Sequence, residues 1–374
     1  MKKPRLDAIE YIRGISMMGV VGIHIGSQYL MNPTPNLHLV ALFEIFTRFS
    51  VPIFFFISAF GLFYNMDTSK PFTMADYKSF LLRRGKTVVI PYIVWSLFYT
   101  FHNAWLFGYL SSINIPGTIS NLFFGNCSYQ LYFMVLLIWF YLFMPLWIKI
   151  VNWCNGKKLF FLMFLQIGIN YALDELVNPY YMEPSYLKTF LTYRLNYWVI
   201  YYFFIFVLGG WLAVHSDTFH SLMKNHRGKI TIFFWGAMAA LLGYYYKLEY
   251  VNGYTPLEGV FTAHQLCPPG VVYTVAASLF FFTIFTYRKF PDFFCPILSL
   301  LGRHSYFAYL AHPLAITYLT MLMANHNMVI SAPVAIILYW VVLALTLLAA
   351  VIMRCIGEAI PVINELTIGI YKKK

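Results

Sequence analysis

The chain has 374 residues, of which 60% are hydrophobic, 20% aromatic and only 11% charged, and its formal net charge is +12. Soluble domains carry roughly 25% charged residues, and the exterior of a soluble protein of this length cannot hide so much apolar surface. The composition therefore excludes an ordinary soluble enzyme and a disordered chain, and the excess of Lys and Arg indicates a cytoplasmic membrane face rather than a nucleic-acid partner.

Apolar stretches of about 20 residues, the length that crosses a bilayer as a helix, recur along the whole chain. About ten of them are predicted to be transmembrane helices, near residues 9–31, 38–64, 87–106, 129–151, 158–176, 195–215, 229–247, 269–287, 296–323 and 329–353. The fold class is therefore predicted as all-α. We expect one polytopic helix bundle, a single integral-membrane domain over residues 1–374.

The distribution of basic residues predicts how these helices are oriented. With the N-terminus inside, 20 of the 26 Lys and Arg residues fall in cytoplasmic segments. Only Lys188, Arg194 and Lys247 fall outside. This positive-inside asymmetry predicts an even number of spans, with both termini in the cytoplasm.

The first predicted span carries two residues that are costly to place in a membrane, Arg13 and His24. Eleven positions separate them, so they share one helix stripe and lie roughly 16 Å apart along its axis. This arrangement suits a long ligand whose phosphate is held by Arg13 and whose reactive end reaches His24, a possible general base. The alternative is structural, with Arg13 extending to the interface and His24 hydrogen-bonded inside the bundle.

The second span carries Glu44 and Arg48, whose i,i+4 spacing allows an ion pair on one helix face. A structural pair is the favoured interpretation, and an anion-binding role for Arg48 is the alternative. The ninth span carries Arg303 and His312. A histidine that precedes a proline, as His312 does, is more often a structural hydrogen-bond partner than a catalyst.

A basic segment precedes the third span and contains Arg83, Arg84 and Lys86. A basic cluster beside a helix start is typical of a phosphate site. Ordinary cytoplasmic topology and attraction to anionic lipid explain it equally well. The five cysteines form no metal-ligand spacing, so no metal site is predicted.

Several of these segments together resemble the acyltransferase type 3 family of multi-span membrane proteins. The family hallmark is Arg, ten residues, then His, which Arg13 and His24 match. Further similarity lies in order along the chain, in Arg5–Ile9, Val51–Ser58, Phe80–Trp95, Tyr129–Phe133 and Leu301–His312. The family loop usually carries Arg, two residues, Arg. Here Arg84 is followed by Thr87 at that spacing, and Arg83 by Lys86.

The resemblance implies O-acyl transfer, usually of acetyl from acetyl-CoA, to a hydroxyl of a carbohydrate or cell-envelope glycan. Arg83, Arg84 and Lys86 would bind the CoA phosphates together with Arg13, and His24 would act as general base. Arg48 or Arg303 would stabilise the oxyanion, and Glu44 and His312 would support the site. No fused soluble hydrolase-like domain is expected.

The resemblance and the hydropathy together predict a multi-pass protein of a bacterial plasma (inner) membrane, in contact with membrane lipid. Two alternatives stay open. A transporter or flippase for a polysaccharide or lipid-linked sugar also has a polar lane through its bundle, but needs no CoA. A non-catalytic partner of a synthase complex would retain its function without His24.

Overall fold

The computed structural model describes residues 6–32, 34–67, 70–176, 183, 185–191 and 198–371. Arg5, Arg194 and the start of the predicted span 195–215 lie outside these residues. Every long regular element in the described part is a helix, so the predicted all-α fold class is confirmed. The helices are α1 (Asp7–Tyr29), α2 (Leu37–Tyr64), α3 (Met74–Arg84), α4 (Ile90–Leu106), α5 (Ile115–Phe124), α6 (Tyr132–Leu142), α7 (Met144–Trp153), α8 (Gly156–Leu176), α9 (Tyr186–Phe190), α10 (Phe203–Val214), α11 (Ser216–Asn225), α12 (Arg227–Tyr250), α13 (Pro256–Thr262), α14 (Pro268–Tyr287), α15 (Phe294–Asn325), α16 (Ala332–Ala359) and α17 (Pro361–Ile368).

Among the described residues, five helices are long and apolar enough to cross a membrane, namely α1, α2, α14, α15 and α16. The pair α6 and α7 makes a sixth if it is one broken span, bent by 68°. Pro145 follows the bend closely, and a residue before proline is disfavoured in a helix. Helices α4, α8, α10 and α12 lie in the other predicted spans, but each is too short or too polar to meet these two criteria. Ten spans and cytoplasmic termini therefore stay predictions.

Helix α2 and the segment that joins α3 to α4 each contain a π turn, a rare feature that is frequent at functional sites. One covers Ala41–Ile45 inside α2, and the other covers Gly85–Val89 and joins α3 to α4. Pro52 and Pro91 follow them, and each proline lacks the N–H that would bond to the carbonyl four residues earlier. The carbonyl that Pro91 leaves without a donor is that of Thr87, inside the second turn, whereas Pro52 affects the carbonyl of Arg48, beyond the first turn. The predicted site residues within them are Glu44 and Lys86.

The described chain divides into two compact units. Unit 1 comprises residues 1–67, 154–171 and 202–347, and unit 2 comprises residues 68–153, 172–201 and 348–374. A single domain over residues 1–374 stays a prediction.

Unit 1 is organised around a close crossing of α1 and α15, made possible by glycine. A Cβ atom on Gly14 would lie 2.4 Å from the carbonyl oxygen of Leu298, and one on Gly302 would lie 2.0 Å from that of Glu10. Ser299 also donates a hydrogen bond of 2.9 Å to the Glu10 carboxylate. Backbone-to-backbone approach therefore fixes how the two helices meet.

We expect Gly302→Ala to destabilise the protein by about 1–3 kcal/mol or more, because the added methyl group meets backbone rather than a side chain that can move. The measurement is thermal unfolding in detergent. Gly236→Ala on α12 is the matched control, since no atom lies within 4 Å of its added Cβ and alanine favours the helix. Equal stability of the two variants would contradict this account of the crossing.

The rest of the unit 1 core is largely aromatic. Phe234 of α12 stacks on Phe280 of α14 at a ring-centroid distance of 4.1 Å. The Tyr273 hydroxyl of α14 donates a hydrogen bond of 2.8 Å to the Phe46 carbonyl in the irregular part of α2. This contact anchors α2 next to its π turn.

Unit 2 is built on the continuous α3–α4 segment. The Tyr77 hydroxyl donates to the carbonyl of Leu142 at the end of α6, at 2.6 Å. The indole N–H of Trp95 donates to the Thr367 carbonyl of α17, at 3.0 Å. These contacts hold α3 and α4 against the other helices of the unit and fix the basic turn that joins them.

Candidate functional site

Two histidines from different helices of unit 1 lie against each other. The rings of His24 on α1 and His312 on α15 stack with centroids 5.1 Å apart and planes inclined by 26°. His312 is fully buried, whereas His24 keeps part of its surface accessible. Of the two imidazoles, that of His24 is therefore the less buried.

Pro313 determines how the His312 ring is held. Proline has no backbone N–H, so the Tyr309 carbonyl four residues earlier lacks its usual helical donor. The Nδ1 atom of His312 lies 2.8 Å from that carbonyl oxygen and 3.2 Å from that of Ala308. Because carbonyl oxygens only accept, this geometry assigns the hydrogen of a neutral His312 ring to Nδ1 and the lone pair to Nε2.

The predicted pairing of Glu44 and Arg48 is present in the same unit. Arg48 Nη2 lies 3.0 Å from Glu44 Oε2, with side-chain exposures of 12% and 1%. The Ser27 hydroxyl donates to Glu44 Oε1 at 2.8 Å, and Arg48 Nη2 also donates to the Val260 carbonyl at 3.2 Å. These additional hydrogen bonds offset part of the desolvation cost of the buried pair.

This ion pair belongs to the surroundings of His24. Ser27 lies one helical turn beyond His24 on α1, so the Glu44 carboxylate is held against the same helix. Gly26 provides the space, because a Cβ there would lie 2.8 Å from Glu44 Cγ. Arg48, which is held by that carboxylate, lies near His24. The ion pair and the two histidines therefore form one cluster, which we call the histidine cluster: Ser27, His24, Glu44, Arg48 and His312.

His264, in the loop before α14, adjoins the cluster and was not predicted from the sequence. Its Nδ1 accepts a hydrogen bond of 3.0 Å from the Leu266 N–H. Burial, and then the nearby charge of Arg48, lower the pKa of His264 to about 4, so the ring is neutral at pH 7. No local pattern marks this histidine. Ser27, in contrast, could have been found from its i,i+3 spacing to His24.

Arg13 and Arg303 lie away from the histidine cluster. Both are exposed, at the level where Glu10 of α1 meets Gly302 of α15. Arg13 is roughly 16 Å from His24 along α1, and Arg303 is roughly 13 Å from His312 along α15. Arg303 Nε donates to the carbonyl of Ser299 in its own helix at 3.4 Å. Of the two arginines predicted as oxyanion partners, only Arg48 lies beside His24.

Unit 2 contains a basic groove of about 360 Å³ along α3 and the π turn. Lys78, Arg83 and Lys86 line it together with the Ser79 hydroxyl. The three cationic side chains are exposed. Such a surface can bind a polyanionic group such as a phosphate ester.

Arg84 does not line this groove. Its guanidinium carbon lies 5.4 Å from the Phe80 ring centroid and 5.1 Å from that of Tyr141 on α6, in cation–π geometry. The Thr87 hydroxyl donates to the Arg83 carbonyl at 3.0 Å. The groove therefore contains the basic pair Arg83 and Lys86, whereas the half-buried Arg84 packs against Phe80 and Tyr141.

A comparison with protein-family models identifies the family. The acyltransferase type 3 model, described as an acyltransferase domain, matches residues 6–355. The match covers nearly the whole chain and leaves no room within it for a fused soluble domain. No curated protein and no solved structure matches the chain.

Proposed function

The chain belongs to the acyltransferase type 3 family, so it is a membrane acyltransferase, and we propose that it transfers an acetyl group from cytoplasmic acetyl-CoA, or another acyl-CoA, to a hydroxyl of a carbohydrate or cell-envelope glycan. The observation that carries this proposal is the histidine cluster. It combines an accessible imidazole with a buried cation beside it.

The CoA phosphates are assigned to the basic groove, and the family resemblance gives Arg13 a role of its own in donor binding. CoA carries several phosphate charges, and Lys78, Arg83 and Lys86 supply three cationic groups in one groove. Hydrogen bonds between cationic groups and phosphate are stronger than hydrogen bonds between neutral groups. Arg13 holds the pantetheine or phosphate end of the donor, on the same helix as His24.

The reaction is assigned to His24. The acceptor hydroxyl oxygen attacks the thioester carbonyl carbon, and His24 removes the hydroxyl proton as the C–O bond forms. The tetrahedral intermediate then collapses, the C–S bond breaks, and His24 returns the proton to the CoA sulfur. The products are an ester and free CoA. Transfer through a covalent acyl-His24 intermediate is the alternative route.

Arg48 is assigned to the negative charge that develops on the carbonyl oxygen. It is the arginine beside His24, and its Nε is a buried donor without a hydrogen-bond partner among the described residues. Glu44 and Ser27 fix the guanidinium. His312 supports His24 from the opposite helix.

We further propose a multi-pass protein of a bacterial plasma membrane, with cytoplasmic termini and cytoplasmic acyl-CoA. The charge asymmetry of the sequence and the cytoplasmic origin of CoA support this assignment. A transporter or flippase for a polysaccharide or lipid-linked sugar is the competing function. It predicts no acyl-CoA binding.

Binding of acetyl-CoA by calorimetry, with the protein in nanodiscs, tests the donor assignment. We expect saturable binding by wild type. Arg83→Gln and Lys86→Gln should each raise the Kd about tenfold, because each removes one charged contact of about 1.5 kcal/mol or more. Arg13→Ala should also weaken binding.

Arg84→Gln is the matched control. It should leave the Kd of acetyl-CoA unchanged within about twofold, and lower the thermal stability through loss of the cation–π contacts. If folded wild type binds no acetyl-CoA or longer acyl-CoA at millimolar concentration, the CoA-dependent function is wrong and the transporter is favoured. If Arg84→Gln weakens binding more than Arg83→Gln, the groove is not the phosphate site.

A further inference from the structure

Unit 2 contains a second cavity, of different chemistry from the basic groove. It has a volume of about 170 Å³ and lies at the C-terminal end of α4. Its wall includes Tyr99 and Cys127, and a larger set of hydroxyl and amide side chains, namely Thr100, Ser112, Asn114, Thr118, Asn121 and Asn126. Among the residues that the structure describes, no Lys, Arg, Asp, Glu or His side chain lines it.

The cavity is therefore polar but uncharged. Burial raises the pKa of the Cys127 thiol above its usual range, so this group is also neutral at pH 7. Each asparagine amide offers two donors and one acceptor with two lone pairs, which suits neighbouring hydroxyls that both donate and accept. The rings of Tyr99 and Tyr109 add flat apolar surface with a polar edge.

The wall of the cavity is preformed by local hydrogen bonds. Asn114 caps α5, where its Oδ1 accepts from the Gly117 N–H at 2.8 Å and its carbonyl accepts from the Thr118 hydroxyl at 2.9 Å. At the other end of α5, the N–H of Asn126 donates to the Asn121 carbonyl at 2.9 Å. The backbone is thus held in place, while the side chains of Asn121 and Asn126 stay exposed at the cavity.

The size of the cavity limits its ligand. Pockets for drug-sized molecules measure about 300–1,000 Å³, so about 170 Å³ accommodates a single ring rather than a long chain. The basic groove and this cavity lie on the same helical segment, and Tyr99 is roughly 20 Å along the axis from Lys86. If the predicted span 87–106 crosses the bilayer, the two sites open on opposite faces.

We propose that this cavity binds one neutral sugar ring of the acyl acceptor, on the membrane face opposite the acyl-CoA phosphates. This inference rests on the proposed function, because the bound sugar is an acyl acceptor only if the protein transfers an acyl group to a glycan. Sugar binding itself does not depend on acyl transfer.

The test measures binding of neutral methyl glycosides, such as methyl glucoside and methyl N-acetylglucosaminide, to the full-length protein in nanodiscs by saturation-transfer NMR. We expect saturable binding of at least one neutral glycoside, and weaker binding of glucuronate. The double variant Asn121→Ala/Asn126→Ala should weaken binding at least fivefold, and Thr118→Phe, which fills the cavity, should abolish it. Ser120→Ala on the same helix is the matched control and should bind as wild type.

Several outcomes separate this inference from the proposed function. The inference is wrong if both cavity variants bind the glycoside as wild type does. It is also wrong if folded protein binds no neutral glycoside at 50 millimolar, about the upper end for a single-ring ligand. Both conclusions hold even if acetyl-CoA binds. Glycoside binding that the variants abolish, with no acetyl-CoA binding, supports the cavity and refutes the acyltransferase chemistry. The same titration with a glycosyl diacylglycerol in the nanodisc distinguishes a lipid-anchored sugar from a soluble one.

Discussion

Replacement of His24 by alanine is expected to lower the rate of acyl transfer about 100- to 10,000-fold, the usual contribution of a general base. The Kd of acetyl-CoA should change by no more than about twofold, because the phosphate contacts are assigned to other residues. This split distinguishes loss of chemistry from loss of donor binding. The measurement is release of free CoA thiol in the presence of acceptor-containing membranes.

His38→Ala is the matched control for His24→Ala. His38 lies on α2 in the same unit, and its Nδ1 contacts the Tyr246 hydroxyl at 2.8 Å on an exposed surface. We expect this variant to retain full activity. If His24→Ala keeps more than about a tenth of the wild-type rate, its role as base is wrong and a non-catalytic partner of a synthase becomes the better hypothesis.

Breaking the buried ion pair should produce the largest loss of stability. Glu44→Gln leaves the Arg48 charge buried without its partner, and Arg48→Met leaves the Glu44 carboxylate, so each is expected to cost about 3–5 kcal/mol. The double variant Glu44→Gln/Arg48→Met removes both charges and should recover most of this loss. Thermal unfolding in detergent, monitored by reaction of the free cysteines, gives the comparison.

An exposed pair of the same spacing provides the control for the buried one. Arg354 and Glu358 lie 3.7 Å apart, with side-chain exposures of 41% and 70%, so Glu358→Gln should change stability by no more than about 0.5 kcal/mol.

Measurement of activity distinguishes a structural role of Arg48 from its proposed role in stabilising the oxyanion. The stable double variant should still lose about 100- to 1,000-fold in rate if Arg48 stabilises the oxyanion. Full activity would assign the pair to structure alone.

Features local to one helix could be predicted from the sequence. The helix that carries Arg13 and His24 was expected over 9–31 and is found over Asp7–Tyr29. The Glu44–Arg48 pair followed from its i,i+4 spacing alone. Both were expected from the regular helical period, and the ion pair forms even though Glu44 lies in a π turn.

Features that join distant helices could not be predicted in the same way. The stacking of His24 on His312 joins residues 288 positions apart, and hydropathy does not give the neighbours of a helix. His312 was expected to form a structural hydrogen bond, and it does so through the carbonyl that Pro313 leaves without a donor. What the sequence did not indicate is that the ring then lies against the candidate base.

The basic segment shows the same limit. Arg83 and Arg84 are equivalent in composition, and the departure from the family spacing left open which of them faces a ligand. Arg83 and Lys86 share one helix face through their i,i+3 spacing, whereas the position of Arg84 depends on Tyr141 from another helix. The missing information was a tertiary contact rather than a local propensity.

The most direct test of acyl transfer uses radiolabelled acetyl-CoA, with wild-type protein and His24→Ala compared in membranes that contain the glycan acceptor. The account predicts that wild type moves the label into the glycan fraction in a linkage that alkaline hydroxylamine cleaves and neutral hydroxylamine does not, as expected for an oxygen ester, and that His24→Ala does not. Folded wild-type protein that leaves acetyl-CoA intact, and that moves unlabelled glycan across the membrane instead, would contradict it.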